Sequence, residues 1–466
     1  MINLVTTPII DKANRVPPLG IAQLASVLRH AGYKTECFDF NSYEFDTLKE
    51  FPHKLLVSNP ESIGANVFVN SYAQILDNWV ECLLSNHPHV IGLSVIYRSM
   101  IIPSLALAME IKKSAPDVTI IMGGSVGAPS NITMIERLLR TASIDIIASG
   151  YGESIILEIL EVLLKKMPLS SVNGIYYLEE GNLCSNPTKK YINPSTIPHP
   201  DFENLVNEKP MDLWLGFPIQ GSRGCINSCT FCNALNNQNF QQRFADHIYS
   251  EILNDFYKYN AKHIAFTDSS INGDPNTLKT LCLKLIKVDL NINFFGNLAI
   301  MPSVDEEMLD LMKEAGFDKV TLALESPSPK IRKDMHKWND MRGVNKLIRS
   351  CVEREIKPLI HLMHSFPTES EDDFKQLLHF VDDWRPNDFG IVLAWPFRLA
   401  EVKIGTIDKW FVNRFNIEIM EGKGIDVPHY WNVFGEEPRW KTIHVNEEIR
   451  LQRQVQVEEH LKSWYS

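Results

Sequence analysis

The stretch GSRGCINSCTFCNAL, residues 221–235, places Cys225, Cys229 and Cys232 in a C-x3-C-x2-C spacing. Three thiolates on one loop are one short of a closed tetrahedral site. Zinc would need a fourth ligand from beyond the loop, with His247 and His263 as the candidates. An iron–sulfur cluster needs no fourth, because three thiolates can hold it and leave one iron with an open coordination position. Three chance core cysteines this close, beside Gly221, Gly224 and the polar Asn227 and Ser228, fit the composition of the stretch poorly.

Such a loop must be held by a rigid element. From FPIQGSRGC onward, apolar runs alternate with helical patterns: FPIQGSRG, HIAFTDS, INFFGNL, KVTLALES, KPLIHLMHS and FGIVLAWP read as strands. Between them lie helices such as YSEILNDFYKYN, NTLKTLCLKLIK, VDEEMLDLMKEAG and GVNKLIRSCVERE. Six βα units in a row predict a partial TIM-type barrel over residues 216–395, with chemistry at the C-terminal strand ends. The cysteines follow the first of these strands.

The N-terminal part alternates in the same way. MINLVTTP, KTECFDF, VIGLSVI, TIIMGG and IDIIASGYGE read as five strands. The helix in PPLGIAQLASVLRHAGY carries Ile21, Leu24 and Leu28 at helical spacing and Gly32 at its C-terminal end. Continuous Val, Ile and Leu strands separated by helices predict a parallel sheet covered on both faces, a doubly wound domain over residues 1–165. Ligands of such folds sit at the C-terminal strand ends. There the sequence places Thr6, Thr7, Ser94, Gly123, Gly124, Gly150 and Gly152. Residues 166–215 are rich in turn signals and read as a hairpin, GIYYLEEGNLCSN, followed by an extended connector. Residues 396–466 carry Trp410, Trp431, Trp440 and Trp464, and are expected to cap the barrel mouth or bind substrate.

Bulk properties narrow the function. A chain of 466 residues exceeds the ~250–300 at which single cores stop growing, so two or three domains are expected. The net charge of −11 argues against nucleic acid as the main partner. No apolar run reaches the ~18 residues of a membrane span, and the first residues lack the pattern of a signal peptide. The other five cysteines, Cys37, Cys82, Cys184, Cys282 and Cys351, are scattered in core-like runs, which suits a reducing, cytoplasmic setting.

C-x3-C-x2-C after the first barrel strand, with Phe231 before the third cysteine, resembles the radical SAM superfamily. So do NFQQRFADHIYSEI, IAFTDSSINGD, MPSVDEEMLDLMKEAGFDKVTLALESPSPKIRKDMHK and FPTESEDDF. The resemblance implies that Cys225, Cys229 and Cys232 hold a [4Fe–4S] cluster whose open iron chelates S-adenosylmethionine (SAM). One electron would then cleave the sulfonium to a 5′-deoxyadenosyl radical. It also implies a SAM site with Phe231 beside the adenine, Glu325 accepting from ribose hydroxyls or the ammonium, Arg223 near anionic groups, and Ser365 on the adenine-side loop. Where the family has GFPGET this chain has SFPTES, so Ser365 and Thr368 replace two glycines.

The N-terminal phrases PPLGIAQLASVLRHAGY, IGLSVIYRS, IIMGGSVGAPS and SGYGE resemble the cobalamin-binding domain fused to many radical SAM enzymes. This implies a cobalamin site at Ser94, Tyr97, Arg98, Gly123, Gly124, Ser125, Gly150 and Gly152. The D-x-H-x-x-G motif that supplies a cobalt-ligating histidine is absent. The function implied is methylation of an unactivated carbon of a small-molecule or peptide natural-product precursor, with flavodoxin or ferredoxin as reductant. The alternatives are a non-methylating radical cyclisation, rearrangement, epimerisation or oxidation, and a non-catalytic cobalamin- or metal-binding sensor. A methylthiotransferase would be expected to carry further N-terminal cysteines and an RNA-binding domain.

Overall fold

A computed structural model describes residues 1–8, 16–41, 61–187, 192–205, 216–232, 240–337, 339–384, 392–397, 409–419 and 440–465. These fall into two units, one holding residues 1–205 and the other the described residues from 216 onward.

The first unit begins with β1 (Ile2–Thr6), α1 (Leu19–His30) and β2 (Thr35–Asp39). Every β1 side chain is buried, as a central parallel strand requires. Helix α1 buries Ile21, Ala25 and Leu28. It ends in a Schellman motif: Gly32, at φ +86°, donates to Arg29 O at 3.0 Å and Tyr33 donates to Leu28 O at 3.0 Å. There follow α2 (Glu61–Ser71), α3 (Ala73–Leu84), β3 (Val90–Ser94), α4 (Ile101–Ser114), β4 (Thr119–Gly123), α5 (Ile132–Leu139), β5 (Ile146–Ala148) and α6 (Gly152–Lys165). The five strands are parallel in the order β2-β1-β3-β4-β5. The order reverses between β1 and β3, the switch point at which doubly wound folds bind ligands.

The hairpin appears as β6 (Ile175–Glu179) and β7 (Asn182–Ser185), but it is no free connector. Strand β6 pairs antiparallel with β5, Ile147 opposite Tyr176, and extends the sheet to seven strands. Burial of Ile175, Tyr176 and Tyr177 against the sheet favours this. The connector packs back on α1: Arg29 pairs with Asp201 at 2.6 Å and Asp201 N donates to Ala22 O at 3.0 Å.

The second unit contains β8 (Phe217–Ile219), β9 (Ser222–Arg223), β10 (Gln241–Gln242), α7 (Ala245–Tyr259), β11 (His263–Phe266), α8 (Pro275–Val288), β12 (Asn293–Leu298), α9 (Glu306–Glu314), β13 (Phe317–Glu325), α10 (Pro329–Asp334), α11 (Met341–Glu353), β14 (Lys357–His364), α12 (Glu371–Trp384) and β15 (Val392–Pro396). Six parallel strands run β8-β11-β12-β13-β14-β15 in chain order, the sheet of a partial (β/α)6 barrel. Helix starts are capped where the sequence offers a cap. Asp305 accepts from Met308 N at 2.9 Å, and Ser328 with Pro329 opens α10.

The tail adds α13 (Lys409–Arg414), β16 (Glu418–Ile419), β17 (Trp440–Lys441) and α14 (Glu447–Tyr465). Trp440 is fully buried with Phe366, Phe397 and Phe411. It packs where β14 and β15 end, beside Phe231 of the cysteine loop. Trp431 and the side chains of Trp410 and Trp464 lie outside the described residues. The scattered cysteines divide. Cys37, Cys282 and Cys351 are buried, and burial pushes each thiol up to about 12. Cys82 is exposed, because it falls off the α3 stripe of Leu76, Trp79, Val80 and Leu83, and Cys184 is partly exposed. Among the described residues no helix is long and apolar enough to cross a membrane.

Candidate functional site

The cysteine loop is fixed at both ends by residues distant in sequence. After β8 the chain leaves the sheet at Gln220. Asp268, just beyond β11, is buried and accepts from Gly221 N at 2.8 Å and from Ser222 Oγ at 2.5 Å. Burial pushes its carboxyl up to about 6, with the Ser222 and Gly221 donors pulling the other way. Arg243 N donates to Gly221 O at 2.9 Å, and its guanidinium reaches Gln220 O at 2.6 Å and buried Glu251 at 2.5 Å. At the far end Thr230 N donates to Met335 O at 3.2 Å and Thr230 Oγ1 to Asp334 O at 3.0 Å, tying the loop to the C-terminal end of α10.

Between these anchors Gly224 turns at φ +79°, Asn227 N donates to Cys225 Sγ at 3.4 Å, and Cys232 N donates to Cys229 O at 3.2 Å. Burial pushes the Cys229 thiol up to about 11. Lys337 pulls it down, while Cys232, Glu325 and Cys225 push it further up. All four groups therefore lie close enough to act on one sulfur. A thiol held neutral in this way gives up its proton when a cation takes that proton's place. The donor set fits an iron–sulfur cluster. Each thiolate of a cubane holds a different iron, so the sulfurs need not meet at one point. Among the described residues no three His, Cys, Asp or Glu side chains could hold a single metal ion. Of the two histidines that could complete a zinc site, His247 accepts from Arg243 at 3.2 Å and His263 is exposed at the N-terminal end of β11. The cysteines follow the C-terminal end of β8, which runs parallel to β11, so His263 is at the opposite end of the sheet.

Two neighbouring strands end beside this loop in unusual backbone conformations. Glu325, the last residue of β13, has φ +67°, and a bulge between Ala323 and Glu325 interrupts pairing with β14. Lys337 Nζ reaches Glu325 Oε1 at 3.4 Å and Ala323 O at 2.5 Å, and both side chains of the pair are mostly buried. Ser365, just past β14, has φ +60°. This is the position where the family phrase has glycine, and the left-handed backbone explains why glycine suits it. The Ser365 residue is buried, with its hydroxyl 3.0 Å from His364 Nδ1 and its N–H donated to Glu369 Oε2. Thr368 Oγ1 donates to Asp334 Oδ2 at 2.5 Å. Phe231 packs with Met363 on the Phe366 and Phe397 cluster. Arg223 Nε donates to Gln220 Oε1 at 3.0 Å.

Lys337, Asp268 and His361 were not picked out by sequence. Lys337 lies twelve residues past Glu325 in the phrase LALESPSPKIRKDMHK, and only folding shows that it returns to it. His361 is a partly buried β14 residue whose imidazole is held below its usual range by burial. Glu325 acts against that shift and Lys337 with it.

His364 points to the other face of β14, edge-on to Phe374. Burial holds its imidazole down to about 4; the hydrogen bond to Gln454 opposes this, and Arg453 and Arg450 add to it. The unfolded chain takes up this proton near 6.5, while the folded chain refuses it until about 4. Stability is therefore full above pH 6.5 and falls as pH drops toward 4, by up to ~1.4 kcal/mol per pH unit. Urea denaturation between pH 7 and 5 checks this, and a His364→Gln chain is expected to lose that part of the slope.

In the first unit the C-terminal strand edge is built by β1, β3, β4 and β5. Ser94 ends β3, and beyond it Ile96 and Tyr97 are each 47% exposed. Both stand at the switch point, where ligands of doubly wound folds sit. Ser125 Oγ donates to Ile96 O at 2.8 Å. Thr7 Oγ1 lies 2.7 Å from Ser104 Oγ, and Thr6 and Thr7 are both buried. Arg98 opens a 3-10 turn, and its side chain lies outside the described residues. Gly150 has φ +112°, and Gly152 begins α6, where a Cβ would sit 3.2 Å from Leu24. Gly124, at φ +97°, is required by its own backbone, since a Cβ there would sit 2.5 Å from Val95 O. Gly123 has room, with its nearest neighbour Ala148 Cβ at 3.7 Å. Gly124→Ala is expected to cost about 3 kcal/mol in denaturation experiments, and Gly123→Ala almost nothing. Any loss of ligand by Gly123→Ala would then report on the site itself.

Residues 219–381 match the Radical SAM superfamily. An uncharacterized methyltransferase of Pyrococcus horikoshii is 24% identical over 376 residues, covering 78% of this chain and 73% of that one. The structure of the radical S-adenosylmethionine methyltransferase TsrM from Kitasatospora setae, with cobalamin and a [4Fe–4S] cluster bound, superposes with a TM-score of 0.69 at 14% identity. It covers 99% of this chain and 88% of that one. The cobalamin-dependent S-adenosylmethionine radical enzyme OxsB, with aqua-cobalamin and S-adenosylmethionine bound, gives 0.64 at 19% identity, over 99% of this chain and 61% of that one.

Proposed function

We propose that this chain, whose residues 219–381 are a radical SAM domain, is a cobalamin-dependent methyltransferase acting on an unactivated carbon of a small molecule or peptide, a natural-product precursor. The observation that carries the reading is the C-x3-C-x2-C loop after the first barrel strand, anchored at one end by Asp268 and at the other by α10, in a unit whose β13 ends in the buried Glu325–Lys337 pair. The fold shared with cobalamin-binding radical SAM enzymes supports it. When bound, the cluster with SAM supplies a 5′-deoxyadenosyl radical and cobalamin supplies the methyl group.

This chain's residues hold and orient. Cys225, Cys229 and Cys232 bind the cluster. Glu325 accepts from the SAM amino group or ribose hydroxyls, and Lys337 pairs with the SAM carboxylate, so one buried pair serves two parts of one ligand. Phe231 gives the adenine an apolar face. Asp268 and Arg243 fix the start of the loop, so that ligand position is set before SAM arrives. Ile96, Tyr97 and Gly123 offer the corrin an apolar edge with close backbone approach. A flavodoxin or ferredoxin supplies the electron in a reducing, cytoplasmic compartment.

The test is to purify the chain without oxygen from cells fed cobalamin, reconstitute the cluster, and measure cobalamin per chain. Near-stoichiometric cobalamin, with S-adenosylhomocysteine formed alongside 5′-deoxyadenosine on a candidate substrate, is the expected result. Deoxyadenosine without S-adenosylhomocysteine would replace methylation with another radical reaction. No SAM cleavage by the cluster-loaded chain would overturn the reading.

A further inference from the structure

The loop from Ser365 to Glu369 is held by the tail. Glu369 is fully buried and accepts from Ser365 N through Oε2. The same oxygen pairs at 3.0 Å with Arg453 of α14, itself 3% exposed. Arg453 also reaches Glu369 O at 3.4 Å and lies over the Phe374 ring at 4.9 Å. One helix position on, Gln454 Oε1 is 2.8 Å from His364 Nε2. From β17's end, Thr442 Oγ1 donates to Pro367 O at 2.7 Å. Three tail residues thus grip a loop some 75 to 90 positions earlier in the chain.

An ion pair this deep is a poor way to gain stability. Removing both charges from water costs several kcal/mol per ion, and an apolar pair of the same volume does as well. Glu369 Oε1 and Arg453 Nε are buried with no hydrogen-bond partner, so the pair is not even fully satisfied. What it does provide is geometry. A serine at φ +60° is held there only when its surroundings over-determine it. The Glu369 carboxylate fixes the Ser365 amide, and Arg453 fixes the carboxylate. Ser365 ends the strand beside Glu325, the other left-handed strand end, so the two strained ends flank one stretch of the barrel's C-terminal edge.

We infer that Arg453 and Glu369 are positioning residues through which the C-terminal helix shapes the SAM-binding strand end at Ser365. The inference rests on the SAM reading above. Arg453→Met keeps the aliphatic stem on Phe374 and removes the charge. In the cluster-loaded enzyme this variant is expected to speed amide exchange in residues 364–370 and to weaken SAM binding about tenfold, with iron per chain unchanged. The double variant Arg453→Met/Glu369→Gln restores a neutral acceptor for Ser365 N and is expected to recover most of the affinity. Should Arg453→Met fail to fold, Gln454→Ala leaves no buried charge unpaired, and a smaller change in the same two measurements is expected. Faster exchange at 364–370 with SAM affinity unmoved makes the tail a structural support alone and overturns the inference while the SAM reading stands. A wild-type enzyme that carries its cluster but binds no SAM overturns both.

Discussion

Replacing Cys229 with alanine is expected to strip the chain of its iron. The wild type should carry about four iron atoms per chain and the variant fewer than one. Visible charge-transfer absorption and SAM cleavage to 5′-deoxyadenosine should disappear with the iron. Cys229 is the thiol on which Lys337, Glu325, Cys225 and Cys232 all act, and burial alone already disfavours its charged form. Without bound iron, Lys337 only partly offsets the burial of a thiolate; without the thiolate, one iron loses its anchor. The fold should survive, because the loop is tied by Gly221 to Asp268 and by Thr230 to α10, not by sulfur. Circular dichroism checks this. Cys282→Ala is the control. That thiol is fully buried in the α8 core, so its loss should cost ~1–2 kcal/mol of stability and leave iron untouched. A Cys229→Ala chain that keeps its full iron and still cleaves SAM would remove the cysteine loop from the chemistry.

Much of this architecture is written locally. Strand β1 is mostly apolar and buried along its whole length because both its faces are covered, and α1 shows its buried stripe and Gly32 exit in sequence. The cysteine spacing can be read as a cluster loop without any structure. What the sequence hides is the choice of distant partners. Asp268 sits in the phrase IAFTDSS as an ordinary turn acid, and only the fold brings it to Gly221, 47 positions earlier. Thr230 and Asp334 are 104 apart, and Glu369 and Arg453 are 84 apart. Hydrophobic periodicity reports which face is buried, not which polar group it meets there. The same limit applies elsewhere. Thr6 and Thr7 lie at a strand end, as ligand residues would, yet Thr7 bonds to Ser104 across the sheet–helix interface. The hairpin's turn signals mark a loop-rich segment, but say nothing of its pairing with β5.

Lys337→Met is expected to lower stability by ~3 kcal/mol and to weaken SAM binding about a hundredfold. Both effects come from one geometry. The Glu325 side chain is only 13% exposed, and Lys337 is the cation that accompanies it. Removing the lysine leaves a buried carboxylate on a left-handed residue, and also frees the Ala323 carbonyl at the bulge. Removing both charges should be milder: Glu325→Gln/Lys337→Met is expected to recover most of the stability, because no charge is then left uncompensated. It should not recover SAM binding, since the SAM carboxylate would then lack its cation and the SAM donors their charged acceptor. Stability and affinity therefore part company in the double variant, and this separates a binding pair from a structural one. Lys337→Arg, which keeps the charge but changes its shape, should stay stable and lose affinity only in part. Denaturation midpoints and equilibrium SAM binding on the four chains measure both quantities. If the double variant regained affinity together with stability, the pair would be a fold device, and the SAM carboxylate would have to find its cation elsewhere.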